Sequence, residues 1–365
     1  MDNTELKSIR VLRISEVLSP YSAPVLEMLG ERIDFTYAYT DKCEVRETTS
    51  FKTKKLDCVR IGKAIYIKNL RKLSKNYDVV IFGTHLRILN TILLFFLPHK
   101  YKIITWSIGL YINYRRQFNL SKEPDWKDKF TRWVLEKSDA CIIYTRVPID
   151  YWKKHGGIDS SKYFVAHNTV KVSSFEQLPN FDQRKNILFI GTLYAQKGLD
   201  ELIEAYRIAK SQSEDIPPLL IIGKGPEEKA IRTLIDKNGL GSIISLIGPI
   251  YDEVKLKSYF FSSLLCISPK QAGLSVQRSL GYGTPFVTRP DAITGGERFD
   301  VIAGETGLYY NSIDELADII LNANSNKKSI EIMSKKSYDY YMSNATPEIM
   351  VQGVIDAIQY TMKGE

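Results

Sequence analysis

Residues 186–199 have the sequence NILFIGTLYAQKGL, and this stretch decides the fold of the C-terminal half of the chain. Its first five residues are mostly apolar, which is typical of a buried parallel strand. Gly191 ends the strand, and a short loop containing Lys197 leads to an amphipathic helical pattern over residues 199–210. A strand, a glycine loop and a helix in this order predict one unit of a parallel sheet whose strands are connected by helices.

The same alternation continues in both directions from this stretch and predicts two α/β domains. Repeated strand–helix–strand order is typical of doubly wound parallel sheets, and two such sheets predict two Rossmann-like domains facing a cleft. The predicted C-terminal elements are strands at 218–223, 243–248, 264–268 and 285–288 and helices at 227–237 and about 347–362. The predicted N-terminal strands are 9–14, 34–39, 77–83, 102–106 and 139–144, and a helix at 25–29 is expected to be closed by Gly30.

Composition excludes several classes of protein. Of 365 residues, 44% are hydrophobic and 25% are charged, which are ordinary values for a globular chain. No run approaches ~18 uncharged apolar residues, so a membrane-spanning helix is not expected. The N-terminal residues lack the basic flank and apolar run of a secretory signal, and the four cysteines form no C-x-x-C pair. A cytoplasmic protein without a zinc knuckle or disulfide framework is therefore expected.

Charge is distributed unevenly between the two halves. Residues 1–180 hold 30 Lys and Arg against 19 Asp and Glu, whereas residues 181–365 hold 20 against 23. A basic N-terminal half attracts anions such as phospholipid headgroups, lipid pyrophosphates or nucleic acid. A solvated basic surface without a partner is the alternative interpretation of the same charge.

The glycine loop is followed by further loops in a fixed order. These segments are IIGKGP at 221–226, GPI at 248–250, SPKQAGLS at 268–275 and LGYGTP at 280–285. Over residues 186–310 the series resembles the C-terminal domain of family 4 glycosyltransferases of the GT-B type, closest to a bacterial subgroup that builds surface polysaccharides. The N-terminal half resembles that family only in its layout.

The resemblance implies a site for a nucleotide-sugar donor, with no cofactor and no metal. Small residues let the backbone approach the donor diphosphate, helix N-terminal amides point at it, and Lys197 supplies a point charge. No Asp-x-Asp motif lies at a convincing strand end, so no metal is expected. The implied donor-binding residues are Gly191, Thr192, Lys197, Gly223, Lys224, Pro249, Ile250, Lys270, Gly273, Leu274, Ser275, Arg278 and Glu297.

Three positions depart from the family pattern. Thr192 stands where many members carry an arginine, and Lys270 and Arg278 stand where members carry two glutamates eight positions apart. Arg278 is therefore a candidate for the missing positive charge on the diphosphate, with a catalytic role beside Lys197. Glu297, in the segment Gly-Gly-Glu-Arg, is a candidate for the carboxylate that binds donor hydroxyls. A surface ion pair is the alternative for both residues.

The acceptor side carries a weaker signal. Family members often have a histidine after the strand that corresponds to residues 102–106, and here Trp106 and Ser107 lie in that region instead. His85, at the end of another predicted strand, is the candidate catalytic histidine. Tyr21 and Ser22, in the loop after the first strand, complete the predicted acceptor side. A retaining enzyme of this fold needs no strong protein base, because the leaving phosphate can accept the proton.

An apolar stretch at 86–97 lies near a basic segment at 52–75. Apolar side chains beside a basic cluster predict reversible contact with an anionic membrane. The contact is expected to centre on Leu94, Phe95 and Phe96, and the membrane surface is expected to be the inner face of the cytoplasmic membrane. A packed core helix is the alternative for the apolar stretch. No nucleic-acid reader motif is present, so nucleic acid is not an expected partner.

Together these features predict an acceptor domain at 1–172, a linker at 173–185, a donor domain at 186–345 and a helix at 346–365 that packs back on the acceptor domain. The predicted activity is transfer of a sugar, with retention, to a glycan acceptor, lipid-linked, in bacterial polysaccharide or lipopolysaccharide synthesis. A catalytically silent relative that binds an active transferase is the main alternative, and a nucleotide-sugar epimerase of similar fold is a third.

Overall fold

The computed structural model describes residues 3–45, 48, 50–84, 87–112 and 120–363. The chain divides into two compact units. Of the described residues, the first unit comprises those within 3–112, 120–170 and 347–363, and the second comprises 171–346. Each unit is built around one parallel sheet covered by helices.

The sheet of the first unit has seven parallel strands in the order β3-β2-β1-β6-β7-β8-β9, and β4 and β5 form a separate antiparallel hairpin. The strands are β1 Arg10–Leu18, β2 Asp34–Cys43, β3 Lys52–Lys55, β4 Cys58–Ile61, β5 Ala64–Ile67, β6 Val79–Phe82, β7 Lys102–Ser107, β8 Ala140–Ile143 and β9 Tyr163–Val165. The helices are α1 Asn3–Ser8, α2 Ala23–Arg32, α3 Leu70–Ser74, α4 Trp126–Lys137 and α5 Val147–Lys154.

Both faces of this sheet are buried. Successive residues on a strand point to opposite faces, so apolar side chains pack on each side of the sheet. Val11 packs in the cluster on the side of α2, whereas Leu12 packs on the side of α3. Continuous apolar runs such as residues 79–82 are therefore needed, and all four of these residues are buried. The prediction of a doubly wound parallel sheet is confirmed here.

Helix α2 is longer than predicted, because Gly30 does not end it. The helix continues through Gly30 to Arg32. A Cβ at Gly30 would lie 2.3 Å from the backbone oxygen of Ser50. Glycine is thus required at this position because two backbones come into close contact. Glycine is also the usual residue at a helix end, so the residue type alone does not distinguish the two roles.

The sheet of the second unit has six parallel strands in the order β12-β11-β10-β13-β14-β15, so the stretch quoted first forms a central strand. The strands are β10 Asn186–Ile190, β11 Leu219–Ile222, β12 Ile244–Gly248, β13 Ser263–Ile267, β14 Phe286–Thr288 and β15 Gly307–Tyr309. The helices are α6 Leu199–Gln212, α7 Glu228–Lys237, α8 Glu253–Phe261, α9 Leu274–Gly281, α10 Ile313–Leu321 and α11 Lys327–Asn344.

The last helix, α12 Pro347–Met362, belongs to the first unit although it follows the second in sequence. It packs against α2, β7, β8 and β9. Gly353 brings it close to the sheet, since a Cβ there would lie 2.5 Å from the backbone oxygen of Val165. Within the described residues, the chain therefore passes from the first unit to the second after Val170 and returns to the first at Pro347.

The segment 173–185 is the one that the sequence predicts to link the two domains. It is part of the second unit, and Arg184 within it is completely buried. The Arg184 guanidinium donates hydrogen bonds to the backbone oxygen of Ser263 (3.0 Å) and to Thr284 Oγ1 (3.1 Å). Burial lowers the pKa of Arg184 to about 10. The two terminal nitrogens of the arginine have partners in the interior, whereas its Nε is buried without a hydrogen-bond partner among the described residues.

Candidate active site

Three loops after neighbouring strands of the second unit are joined by backbone hydrogen bonds. The amide of Gly191, after β10, donates to the backbone oxygen of Ile222 at 3.0 Å, and the amide of Gly223, after β11, donates to Gly248 at the same distance. The amide of Leu193 donates to the backbone oxygen of Lys224 at 3.1 Å. These bonds hold the carboxyl ends of the three strands in one rigid edge, where open parallel sheets bind ligands.

Gly223 permits this contact. Its φ is +151°, and a Cβ on it would lie 1.9 Å from the backbone oxygen of Gly191. No side chain fits between two backbones at that distance. The glycine-rich loops predicted to bind the donor therefore depend on each other for their shape.

Lys197 lies over the first of these loops. It is the last residue of a 3-10 helix, Ala195–Lys197, which precedes α6. A Cβ at Gly191 would lie 3.4 Å from Lys197 Nζ, so the ammonium group reaches back over the end of β10. Desolvation lowers the pKa of Lys197, whereas the nearby Cys266 and Glu297 favour its charged form. A partly desolvated ammonium at a strand end attracts an anion more strongly than one in water.

Glu297 is brought close to Lys197 although the two residues are 100 positions apart. It begins a 3-10 helix, Glu297–Asp300, and only 4% of its surface is exposed. Its Oε2 accepts hydrogen bonds from Thr294 Oγ1 (3.1 Å) and from the Gly295 amide (2.9 Å). The carboxylate is thus fixed in position beside the lysine.

Helix α9 begins at Leu274 with Gly273 as its N-cap, so Gly273, Leu274 and Ser275 form its N-terminus. Gly273 is the N-cap and provides no capping side chain. A Cβ at Gly273 would meet no atom within 4 Å, so the approach to this helix end is open. Ser275 Oγ is buried and has no hydrogen-bond partner in the part of the chain that the structure describes. Helix N-terminal amides and a hydroxyl donor suit phosphate oxygens.

Lys270 is engaged by carboxylates. Its Nζ lies 3.6 Å from Asp200 Oδ1 and 3.6 Å from Glu201 Oε2, both in the first turn of α6. Glu201, which is 7% exposed, also pairs with Arg289 at 3.0 Å. These ion pairs attach the loops after β13 and β14 to the first turn of α6. The sequence showed no signal for Glu201 beyond an acidic residue at a helix start.

Arg278 also has a carboxylate partner. Its Nη2 lies 3.3 Å from Glu253 Oε2, and the other oxygen of Glu253 accepts a hydrogen bond from Tyr282 at 2.8 Å. The Nε of Arg278 is buried and has no hydrogen-bond partner among the described residues. The guanidinium therefore retains donor capacity, and its role at a diphosphate stays a prediction.

The remaining predicted donor residues lie on the same three loops. Thr192 and Lys224 are exposed, Pro249 is exposed, and Ile250 packs against the cluster that includes Ile222 and Ala272. Lys224 and Ile250 thus place a charged and an apolar side chain at neighbouring strand ends, a combination suited to a ligand with a polar and an apolar part.

Replacing Arg278 with glutamate, which restores the usual family residue, is expected to impair this protein. The new carboxylate would face Glu253 in place of the present ion pair, so both stability and donor affinity should fall. The swap variant Glu253→Arg/Arg278→Glu should recover the melting temperature without recovering donor affinity. Calorimetric titration and thermal melts test this, and full recovery of donor affinity in the swap variant would exclude a direct role of Arg278 at the donor.

The predicted acceptor-side residues lie around two adjoining cavities of the first unit, of about 220 and 300 Å³. Tyr21 and Ser22 line the smaller cavity, Ser107 lines the larger, and Trp106 lines both. Arg13 lines both cavities as well, and sequence reasoning missed it. A signal was present, since Arg13 is a charged residue in the middle of an apolar strand.

His85 lies outside the described residues, so its predicted role stays a prediction. Thr84 beside it lines the 300 Å³ cavity. Among the described residues, no cluster of three or more His, Cys, Asp or Glu side chains is arranged to hold a metal ion.

Comparison with known proteins identifies the second unit. Residues 171–340 match the family profile described as glycosyl transferases group 1. No curated protein sequence matches the chain. The GT-B type predicted from the loop motifs is confirmed, although the matching profile is described as group 1 and not as family 4.

Solved structures match over almost the whole chain. S. aureus TarM, solved with fondaparinux, α-GlcNAc-glycerol and UDP, is 13% identical with a TM-score of 0.66, covering 96% of this chain and 99% of its own. Anabaena HepE with UDP is 12% identical, with a TM-score of 0.66 and coverages of 96% and 100%. The lipopolysaccharide outer core galactosyltransferase WaaB is 14% identical, with a TM-score of 0.63 and coverages of 96% and 99%. At these identities the likeness establishes the fold.

Proposed function

We propose that this chain, a glycosyltransferase of the GT-B type, moves a sugar from a nucleotide-sugar donor to a glycan acceptor with retention of configuration. The observation that carries the donor assignment is Lys197, a partly desolvated ammonium over the glycine loop and beside the fixed carboxylate of Glu297. TarM and HepE were solved with UDP, which supports a nucleotide diphosphate as the group that these loops bind.

The chemistry assigned to the donor side is stabilisation of the leaving group. As the bond between the anomeric carbon and the phosphate oxygen breaks, negative charge develops on the diphosphate. Lys197 and the amides at the start of α9 are placed to stabilise that charge, and they are in position before the reaction. Glu297, whose carboxyl group accepts two hydrogen bonds, is assigned to the donor sugar hydroxyls.

The acceptor proton is assigned to the leaving phosphate. A new bond forms between the acceptor oxygen and the anomeric carbon while the phosphate oxygen takes the acceptor proton, so no separate protein base is required. Because Lys197 and the α9 amides supply the positive charge, turnover is expected to continue when divalent cations are chelated.

A panel of nucleotide sugars tests this function. A ligand that binds only the folded state stabilises it by about 2.7 kcal/mol at 100 times its Kd. UDP-, GDP-, ADP-, dTDP- and CMP-sugars are to be screened by thermal shift, and the donor that shifts the melting temperature is then assayed for hydrolysis and transfer. Absence of a shift with every nucleotide sugar would contradict the proposal.

One observation favours the second candidate, a catalytically silent relative that binds an active transferase. Lys270 and Arg278 replace the two family glutamates, and both are held by carboxylates of their own unit. Donor binding without hydrolysis or transfer would favour this role, whereas turnover by the purified chain would exclude it.

The acceptor is proposed to be lipid-linked, with the first unit in contact with an anionic membrane. Among the described residues, no helix has the length and apolar character to cross a bilayer. Within the apolar stretch the structure forms a 3-10 helix, Leu89–Phe95. Ile88, Thr91 and Leu94 recur every three residues and are buried, so Leu94 is not available to a membrane as predicted.

The apolar side chains that are exposed come from this 3-10 helix and from the β4–β5 hairpin. Asn90 connects the two, since its side chain accepts from the Ile67 amide at 3.1 Å and donates to the Ile67 oxygen at 2.7 Å. Exposed lysines of β3 lie in the same basic segment of the chain, and their charges are worth ~1 kcal/mol each near an anionic leaflet. We call the exposed set Val59, Ile61, Tyr66, Leu89, Leu93 and Phe96 the apolar patch.

Substituting the apolar patch is expected to release the chain from anionic vesicles. Sedimentation with anionic vesicles should fall several-fold for Phe96→Ser and should also fall as salt rises, because screening shortens to ~3 Å at 1 M. Trp126→Ser is the matched control, since Trp126 is 65% exposed against 66% for Phe96 but lies outside the patch. Equal, negligible binding to anionic and neutral vesicles would contradict membrane contact.

A further inference from the structure

Arg13 stands in the middle of a central parallel strand, where apolar residues are the rule. It pairs in register with Tyr37 on β2 and with Ile81 on β6. Its guanidinium carbon lies 3.6 Å from the centroid of the Trp106 ring. The ring covers one face of the cation, and the edge of the guanidinium carries the N–H groups that can donate hydrogen bonds to a ligand.

Three N–H donors at this point lack acceptors. The Nε and Nη1 of Arg13 and the Nε1 of Trp106 are buried without a hydrogen-bond partner in the described part of the chain. An arginine stays charged at physiological pH, and leaving buried donors unpaired is costly to the fold. Grouped donors of this kind are suited to an oxyanion, which accepts several hydrogen bonds at once.

The surroundings of Arg13 favour an anion. The described residues that line the two cavities include no Asp or Glu. Ser15, two positions further along β1 and on the same face, lines both cavities. Ser22, Val25 and Leu26, at the N-terminal end of the ten-residue helix α2, line the smaller cavity, so the positive end of that helix is directed toward it.

We infer that the acceptor carries an oxyanion, a phosphate, diphosphate or carboxylate, which Arg13 and Trp106 bind. This rests on the proposed glycosyltransferase function and specifies the acceptor class. The oxyanion has two possible sources, the diphosphate of a lipid carrier or an acidic group of the glycan itself. Arg13 is a specificity residue that selects anionic over neutral acceptors.

Calorimetric titration of inorganic phosphate into the full chain tests the site. A Lys197→Met background removes the donor-site lysine, so that the donor loops do not account for the signal. In that background Arg13→Gln should weaken phosphate binding at least tenfold, and Trp106→Phe, which keeps the ring but removes its N–H, should weaken it several-fold. Arg32→Gln, the loss of an arginine from the far end of α2, should leave it unchanged.

Competition with phosphate then separates the sources. Geranyl diphosphate represents a lipid carrier, and glucose 6-phosphate and glucuronate represent an acidic glycan. Tight competition by one of these, dependent on Arg13, supports the proposal and assigns the source. Failure of all three, equal phosphate affinity in Arg13→Gln, or an equal loss in Arg32→Gln overturns it. If UDP competes with phosphate, the oxyanion belongs to the donor, and this result also overturns the proposal.

The outcome is independent of the donor screen. If Arg13→Gln leaves phosphate affinity unchanged while nucleotide sugars still bind, only the proposal of an anionic acceptor fails. If no nucleotide sugar binds but Arg13→Gln still weakens phosphate binding, the proposed glycosyltransferase function fails and the oxyanion site at Arg13 remains supported. Melting temperatures of each variant show whether an effect reflects misfolding, and Trp106→Phe keeps the test valid if Arg13→Gln does not fold.

Discussion

Lys197→Met is expected to weaken nucleotide-sugar binding by roughly 10- to 150-fold without unfolding the protein. Loss of a charge-assisted contact to phosphate costs about 1.5–3 kcal/mol. Methionine retains the apolar stem that packs over Gly191, so the loop itself should keep its shape. Donor titration and steady-state turnover measure the effect, and the melting temperature reports on folding.

Lys237→Met is the matched control, because Lys237 is exposed at the end of α7 in the same unit. It removes one charge from the unit but none from the strand-end loops. Unchanged donor binding in Lys197→Met, or an equal loss in Lys237→Met, would remove Lys197 from the donor site.

The pH dependence of donor affinity also tests the role of Lys197 in donor binding. Only protonated Lys197 attracts the diphosphate, and desolvation lowers the pKa of this group below that of an ordinary lysine, about 10.4. Donor affinity attributable to Lys197 should therefore be fully present at neutral pH and should be lost as the pH rises through that lowered pKa. Lys197→Arg should keep its affinity to higher pH, because arginine remains charged.

Gly223→Ala is the second large effect, and it concerns stability. The added Cβ would lie 1.9 Å from the Gly191 oxygen at a φ of +151°, so overpacking and backbone strain act together. The two costs, about 1–3 kcal/mol each, should reduce the free energy of unfolding by about 2–6 kcal/mol in total and disrupt donor binding. Chemical denaturation of wild type and variant measures the first effect.

Two further glycines separate the causes. Gly239 has a φ of +66° and open space around its Cβ position, so Gly239→Ala reports backbone strain alone. Gly241 also has open space and no φ in the strained range, so Gly241→Ala should be nearly neutral. If Gly223→Ala costs no more than Gly239→Ala, the backbone contact between the two loops is not important for stability.

The sequence predicted the second unit well because its loops are constrained locally. Gly191, Gly223 and Lys197 belong to short segments in which strand, glycine and helix follow one another, and each segment can be recognised without its neighbours. The closeness of Glu297 to Lys197 was within reach only through the family resemblance. Spatial proximity over 100 residues depends on strand order, which periodicity does not specify.

The first unit was predicted less well, for physical reasons that individual residues show. Gly30 has the residue type of a helix end but serves a backbone contact with Ser50. The 3-10 helix at Leu89–Phe95 repeats every three residues, close enough to the helical period to be mistaken for it. Arg13 was visible in the sequence, but its unpaired donors become evident only from the packing of Trp106.

Amide hydrogen exchange with and without a saturating nucleotide sugar tests the donor site most directly. We expect slowed exchange in peptides that cover residues 190–198, 223–226 and 273–276, where the loop glycines, Lys197 and the start of α9 lie. The same peptides should lose this protection in Lys197→Met at equal ligand concentration. Protection confined to the first unit, or none in these three segments at a ligand concentration that raises the melting temperature, would contradict a donor site at this edge of the sheet.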